Sequence, residues 1–258
     1  MSTRPAWMPN DARQVNGVWE LGPVDGTFGA LYHTVRTLEQ RILPDGIVRG
    51  LPGAGSRTAH PAEWRIRERS LHRLLKTLSA AGRDLHVLDI GCGNGWMSAA
   101  LAHAGHTVTG LDAHRDELEQ AARVFPARNV TWCLGDPLHA DLPAAGFDVV
   151  LFAASIQYFD DLAGLAQRAR RLLRPGGEVH VVDTMLYPDR QAADEARARS
   201  RAHYARLGVE ALAERYQALT PADLEPLGTV HVLHAPVQGP LARLLGRATP
   251  FHHMIARP

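Results

Sequence analysis

The sequence predicts an open α/β sheet with helices on both faces, and three observations carry that prediction. The first is the stretch Val87-Leu88-Asp89-Ile90-Gly91-Cys92-Gly93-Asn94-Gly95-Trp96. Apolar residues flank an acid and lead into three alternating glycines. A helical pattern follows at once, Met97, Ala100, Leu101 and Ala104, closed by Gly105. This reads as a buried strand, a glycine turn and a helix. The second observation is alternation: apolar runs near 106–111, 130–134, 147–153 and 177–183 are separated by helical patterns. The third is Asp112, 21 residues after Gly91 and at the end of an apolar run.

The glycine spacing narrows the ligand. A dinucleotide fingerprint is G-x-G-x-x-G. Here the third glycine comes one residue early, at Gly95, and Trp96 holds the fingerprint position. Asp89, two residues before the first glycine, would repel a pyrophosphate and suits a cationic ligand. An acid about 20 residues on is the usual acceptor for ribose hydroxyls. The residues therefore point to a nucleoside cofactor with an adenosine-like ribose and no pyrophosphate, seated where a strand meets helix N-terminal N–H groups.

Val87 to Gly95 resembles the first motif of class I S-adenosylmethionine-dependent methyltransferases of small-molecule type. Gly110-Leu111-Asp112 resembles their second. Leu134-Gly135-Asp136-Pro137 resembles the adenine-contacting third. Phe147-Asp148-Val149-Val150 resembles the fourth strand, and Leu173-Arg174-Pro175-Gly176-Gly177 the turn before the fifth. The resemblance is strong over residues 62–184 and continues by topology to the end. It implies a Rossmann-like, seven-stranded, mostly parallel sheet closed by a C-terminal antiparallel hairpin, and S-adenosyl-L-methionine as cofactor. On the matching positions it implies that Asp89, Gly91, Cys92, Gly93, Asn94, Gly95, Asp112, Ala113, Asp136, Pro137, Ala153 and Ser155 bind that cofactor.

Composition excludes several partners. The chain has 258 residues and net charge +1, without a basic block, so no electrostatic nucleic-acid surface is expected. Cys92 and Cys133 make no disulfide framework and match no metal spacing. No segment approaches the ~18 apolar residues of a membrane span, and residues 2–5 begin no signal peptide. A cytoplasmic protein acting on a small-molecule acceptor is expected, with no nucleic-acid or membrane partner.

Residues 1–60 read as an N-terminal arm and 61–258 as the methyltransferase domain, with an insertion at about 185–226. The arm is rich in Gly and Pro and carries Trp7, Trp19, Phe28 and Tyr32. It is expected to hold a short helix over 34–43, with Val35, Leu38 and Ile42 on one face. It is either a packing arm or a lid over the acceptor, with Tyr32 and His33 as contacts. A helix over 62–80 buries Trp64, Leu71, Leu74, Leu75 and Leu78. Its arginines Arg65, Arg67, Arg69 and Arg73 form a solvated face, unless one or two reach the cofactor carboxylate or the acceptor.

A further helix is read around Glu117–Val124, ended by Pro126, and strands over 130–134 and 147–153. Gln157 and Tyr158 follow in the loop beside the transferable methyl, where the resemblance places the acceptor. That loop lacks the Asn/Asp-Pro-Pro-aromatic motif of enzymes that methylate planar amino groups. Asp160-Asp161 reads as a helix cap over 162–173. Residues 189–217 suggest an exposed helical insertion, and 229–234 with 251–256 the closing hairpin. His252 and His253 point to opposite faces, poor geometry for a chelating pair, so no metal site is expected.

Transfer of a sulfonium methyl mainly requires positioning. If the acceptor must lose a proton, His33, His139 and Tyr158 are the candidate bases. The leading reading is methyl transfer to a small molecule. The alternatives are non-methyl chemistry such as cyclisation, or a non-catalytic cofactor-binding module. A nicotinamide oxidoreductase is disfavoured by Asp89 and the missing third fingerprint glycine.

Overall fold

The computed structural model describes residues 4–244 and 247–258. In chain order the elements are β1 (Gln14–Val15), β2 (Val18–Glu20), α1 (Gly26–Leu38), α2 (Asp45–Val48), α3 (Pro61–Ser79), β3 (His86–Ile90), α4 (Trp96–His103), β4 (Thr107–Asp112), α5 (Arg115–Val124) and β5 (Val130–Leu134). Then come β6 (Phe147–Ala153), α6 (Leu162–Leu172), β7 (Leu173–Thr184), α7 (Arg190–Arg206), β8 (Thr229–His234), α8 (Pro240–Leu244) and β9 (His252–Arg257), with short 3-10 turns between them.

The strands form one sheet in the order β1-β2-β5-β4-β3-β6-β7-β9-β8. From β2 to β7 every pairing is parallel. The sheet closes with the antiparallel strands β9 and β8. Seven strands follow the expected plan, and the sheet has nine, because the arm contributes two. Asn16 and Gly17, at φ 49° and 85°, turn β1 into β2. An Asn-Gly pair with both residues at positive φ is the favoured two-residue hairpin turn. β2 then lies parallel to β5, Val18 opposite Trp132 and Glu20 opposite Leu134. The first part of the arm is therefore built into the sheet.

Alternation along the strands explains the two cores. Leu88 and Ile90 of β3 join Phe152, Val181 and α6 residues Leu165 and Leu172 on one face. Val87 joins Leu74 and Leu78 of α3, Leu101 of α4 and Leu118 of α5 on the other. Both faces are covered, so these strands read as nearly continuous apolar runs. Helix ends follow local chemistry. The Asp161 carboxylate accepts the Gly164 N–H at 2.8 Å to cap α6, and Gly105, at φ 105°, ends α4. The arm helix lies earlier than expected. It ends at Leu38, and although Val35 is buried, Leu38 and Ile42 are exposed. Trp64 and Leu75 of α3 are half-buried, while Leu71, Leu74 and Leu78 are fully inside. The Phe28 side chain lies outside the described residues.

β3 has β4 on one side and β6 on the other, so the strand order reverses beside it. Such a switch point leaves a crevice beyond the carboxyl ends of the strands. α1 and the 185–226 insertion lie over that crevice and pack on each other. Val35 sits in a cluster with Tyr204, Val209 and Leu212, and His203 contacts Glu39 at 3.1 Å.

Candidate active site

The crevice has two neighbouring compartments. The first, about 200 Å3, lies over the ends of β4, β5 and β6 and is mostly apolar. It is lined by Gly91, Gly93, Asp112, Ala113, Asp136, Pro137 and Ser155, by Leu138 and Phe159, and by Tyr32 and Tyr158. The second, about 90 Å3, is polar and lined by Cys92, Asn94 and Ala153 together with Arg36, Arg41, Glu63, Arg67 and Glu117. Tyr32, Gly91, Gly93 and Ala154 line both, so the two lie side by side along the glycine loop.

The glycine loop is held from below and from the side. The Gly93 N–H donates to the Asp112 Oδ2 at 2.7 Å, and the His114 N–H to its Oδ1 at 2.8 Å. Burial, with the Glu117 charge nearby, pushes the Asp112 carboxyl up to about 6. Each Asp112 oxygen keeps a lone pair that can accept a ligand hydroxyl. Asp89 lies beneath the loop rather than on the cavity wall. It is fully buried, accepts from Ser98 at 2.6 Å, and its Oδ1 has no partner. Burial raises its carboxyl to about 7.

The glycines answer mainly to the protein's own packing. A Cβ on Gly91 would lie 2.5 Å from the Ser155 Cβ, and one on Gly95 2.4 Å from the Trp132 ring. Gly95 lines neither compartment. A Cβ on Gly93 would lie 2.7 Å from the Glu117 Oε2, so a carboxylate rests against the loop there. Burial raises the Cys92 thiol well above its usual value, which makes it an inert part of the loop.

The candidate bases fare unequally. His33 is exposed, stacks on His114 with ring centroids 5.6 Å apart, and faces a side cleft rather than either compartment. His139 is exposed and held by Asp136 at 2.9 Å. Tyr158 lines the first compartment, but burial raises its hydroxyl above the usual phenol range, so it stays protonated. Gln157 serves the scaffold, donating to the Ala154 carbonyl at 2.7 Å and accepting from Thr184 at 3.4 Å. Tyr32 and Tyr158 meet edge to face at 5.6 Å. Among the described residues, His33, His114 and Asp116 could together hold a metal ion, each offering one atom within 4.8 Å of the others. That group was not foreseen in the sequence.

Several lining residues were also unforeseen: Arg36, Glu117, Leu138, Phe159, and the pair Asp25 and Arg215. Nothing local marks them. They come from α1, α5, three loops and the 185–226 segment, and only folding brings them together. Of the α3 arginines, Arg67 does reach the polar compartment, where Glu63 holds it at 2.8 Å.

The fold is a Rossmann-like α/β sheet with a crevice at its switch point. Comparison with known proteins narrows the class. A methyltransferase-domain family profile matches residues 88–181. The chain is 32% identical over 212 residues to 27-O-demethylrifamycin SV methyltransferase of Amycolatopsis mediterranei, covering 79% of this chain and 75% of that one. It is 36% identical over 96 residues to an uncharacterised methyltransferase of Mycobacterium tuberculosis, 37% of this chain and 49% of that one. The chain thus spans about half the length of that relative. An S-adenosylmethionine-dependent methyltransferase structure from Mesorhizobium loti shares the fold, with TM-score 0.52 and 22% identity over 76% of this chain and 98% of that one. This chain belongs to the class I S-adenosylmethionine-dependent methyltransferase family.

The crevice fits the cofactor of that family. The apolar compartment presents the carboxylates of Asp112 and Asp136, which suit hydrogen-bond donors on a ligand. The polar one has charges of both signs. Among the described residues, the Arg36 Nε, in the wall of the polar compartment, is a buried polar atom without a partner.

Proposed function

We propose that this chain methylates a hydroxyl of a small-molecule acceptor with S-adenosylmethionine. The observation that carries this is the convergence of the motif-bearing loops on one crevice beneath α1 and the insertion, in a chain that keeps family identity over most of its length. Bound S-adenosylmethionine supplies an activated sulfonium methyl. The chain's residues position and enclose. Asp112 receives the ribose hydroxyls and Asp136 the adenine amino group. Gly91, Cys92, Gly93 and Asn94 lie along the amino-acid tail, and Ala153 and Ser155 border the reacting end. Tyr32 and Tyr158 form an aromatic wall against the acceptor. The 61–258 domain carries the cofactor site, and α1 of the 1–60 arm covers it. Holding reactants in near-attack geometry supplies several kcal/mol (up to ~10) of the barrier reduction. With Tyr158 kept protonated, His33 off the crevice and His139 turned to solvent, positioning has the larger share.

The test is incubation with methyl-labelled S-adenosylmethionine and a panel of phenolic and alcohol-bearing natural products. Acceptor-dependent S-adenosylhomocysteine, with a product one methyl heavier, is expected. A product of unchanged mass would favour non-methyl chemistry. Tight S-adenosylhomocysteine binding with no turnover on any acceptor would favour a cofactor-binding module.

A further inference from the structure

Of the three arginines that line the polar compartment, two are fully engaged. Arg41 contacts Glu39 at 2.9 Å and Glu63 at 2.8 Å, and Arg67 contacts Glu63 at 2.8 Å. Arg36 is different. Among the described residues its one ion pair is long, 3.4 Å from Nη2 to the Glu117 Oε1, and its buried Nε has no partner. A buried guanidinium nitrogen without an acceptor costs free energy unless a ligand fills the gap. Glu117 is equally exposed to a ligand's needs, since its other oxygen rests against Gly93 of the glycine loop.

The two charges line the polar compartment, beside residues that also line the first. Arg36 packs its guanidinium 5.7 Å from the Tyr32 ring centroid, and Tyr32 lines both compartments. A ligand with only negative charge would meet Glu117 and Glu63 there. One with only positive charge would meet Arg36, Arg41 and Arg67. A zwitterion satisfies both members of the loose pair, and charge-assisted contacts to fixed partners are the strong ones.

We propose that Arg36 and Glu117 form the receptor for the zwitterionic amino-acid tail of the cofactor, with the Arg36 fork taking the carboxylate and Glu117 the ammonium. This rests on the cofactor reading above. It assigns α1 of the arm to the methyl donor as well as to the cover. A tail bound between Arg36 and Glu117 bridges α1 to α5 directly over the glycine loop, so cofactor binding fastens the arm.

The test is calorimetry on the full chain with two ligands. S-adenosylhomocysteine carries the tail; 5′-methylthioadenosine keeps the adenosine and thioether and lacks it. Arg36→Met is expected to weaken S-adenosylhomocysteine about 10- to 100-fold and to change 5′-methylthioadenosine by less than about threefold. Glu117→Gln should behave alike, and Arg65→Met, on the exposed side of α3, should leave both affinities unchanged. Equal losses for both ligands would mean that Arg36 only supports the arm, and unchanged affinities would mean that the tail binds elsewhere; either overturns the proposal. Should Arg36→Met fail to fold, the wild type with decarboxylated S-adenosylhomocysteine decides, because undiminished binding of that ligand overturns the carboxylate assignment. Wild type that binds neither nucleoside would instead refute the cofactor reading itself.

Discussion

Asp25 and Arg215 meet at 2.9 Å across the first compartment, 190 residues apart in sequence. The Asp25 Oδ1 also accepts the Thr27 N–H at 2.9 Å at the start of α1. One carboxylate thus ties the arm helix to the insertion at the cavity wall. The pair is nearly half exposed, so its worth in global stability is small, below about 1 kcal/mol. Its expected effect is on opening. Arg215→Ala should leave the thermal midpoint within a few degrees (~3 °C at most) and speed release of S-adenosylhomocysteine several-fold. Stopped-flow dissociation checks this. An unchanged off-rate would show the contact to be an ordinary surface pair.

Asp112 is expected to make ligand binding pH-dependent. Its carboxyl is pushed up to about 6 by burial, whereas hydroxyl donors on a ligand favour the ionised form. Affinity for S-adenosylhomocysteine should therefore be full above pH 6 and fall as the pH drops through about 6. In Asp112→Asn one amide nitrogen must face the N–H of Gly93 or His114, because both carboxylate oxygens accept from backbone. That variant should bind about 10- to 100-fold more weakly, with the pH dependence near 6 reduced. A wild-type affinity that is flat from pH 5 to 8 (roughly two units about that pKa) would remove Asp112 from the binding site.

Gly91 and Gly176 separate packing from backbone strain. Both have positive φ, 73° and 79°. A Cβ on Gly91 meets Ser155, and one on Gly176 meets nothing within 4 Å. Gly176→Ala should cost about 1–2 kcal/mol, the left-handed conformation alone. Gly91→Ala should cost about 2–4 kcal/mol, with overpacking added. Urea denaturation of both variants measures the difference, and equal midpoints would mean that Ser155 yields freely.

His253 should govern part of the acid sensitivity of the fold. It is buried on β9, its Nε2 is 3.2 Å from the His180 Nδ1, and the His234 ring lies 5.8 Å away. Burial first, then the neighbouring His180, His234 and Arg73, lower its pKa to about 3. The folded value lies below the unfolded one of about 6.5, so the unfolded chain binds the extra proton. The stabilisation is complete above about pH 6.5 and is lost as the pH falls from there toward 3, on the order of a few kcal/mol in all. His253→Leu should flatten the stability profile between pH 4 and 6.5 (approximately that window), read by chemical denaturation at a series of pH values. A profile as steep as wild type would assign the acid transition to the carboxylates.

The sheet was largely legible because each of its parallel strands from β3 to β7 carries a local signal. Strands buried on both faces must be apolar throughout, and the turns between them need glycine or a capping acid, as at Gly91 to Gly95 and Asp161. The arm hairpin had a signal too: Val15-Asn16-Gly17-Val18 holds the favoured turn pair between β-formers. It was obscured because the strands it joins have only two and three residues, too short for alternation to show. The arm helix was placed late because Val35, Leu38 and Ile42 suggest a buried stripe, whereas only Val35 finds a partner surface, on the insertion.

By itself the sequence determined the strands and the glycine loop of the parallel sheet and the carboxylates at strand ends, since those depend on residues close together in the chain. The tertiary structure alone decided the polar end of the crevice. Arg36 and Glu117 are 81 positions apart, and Asp25 and Arg215 more than twice that. Neither pair leaves a periodicity or a spacing to read. Their meeting follows from how α1 settles against α5 and the insertion, and that docking is set by burial of side chains from distant segments, a quantity no local stretch of sequence contains.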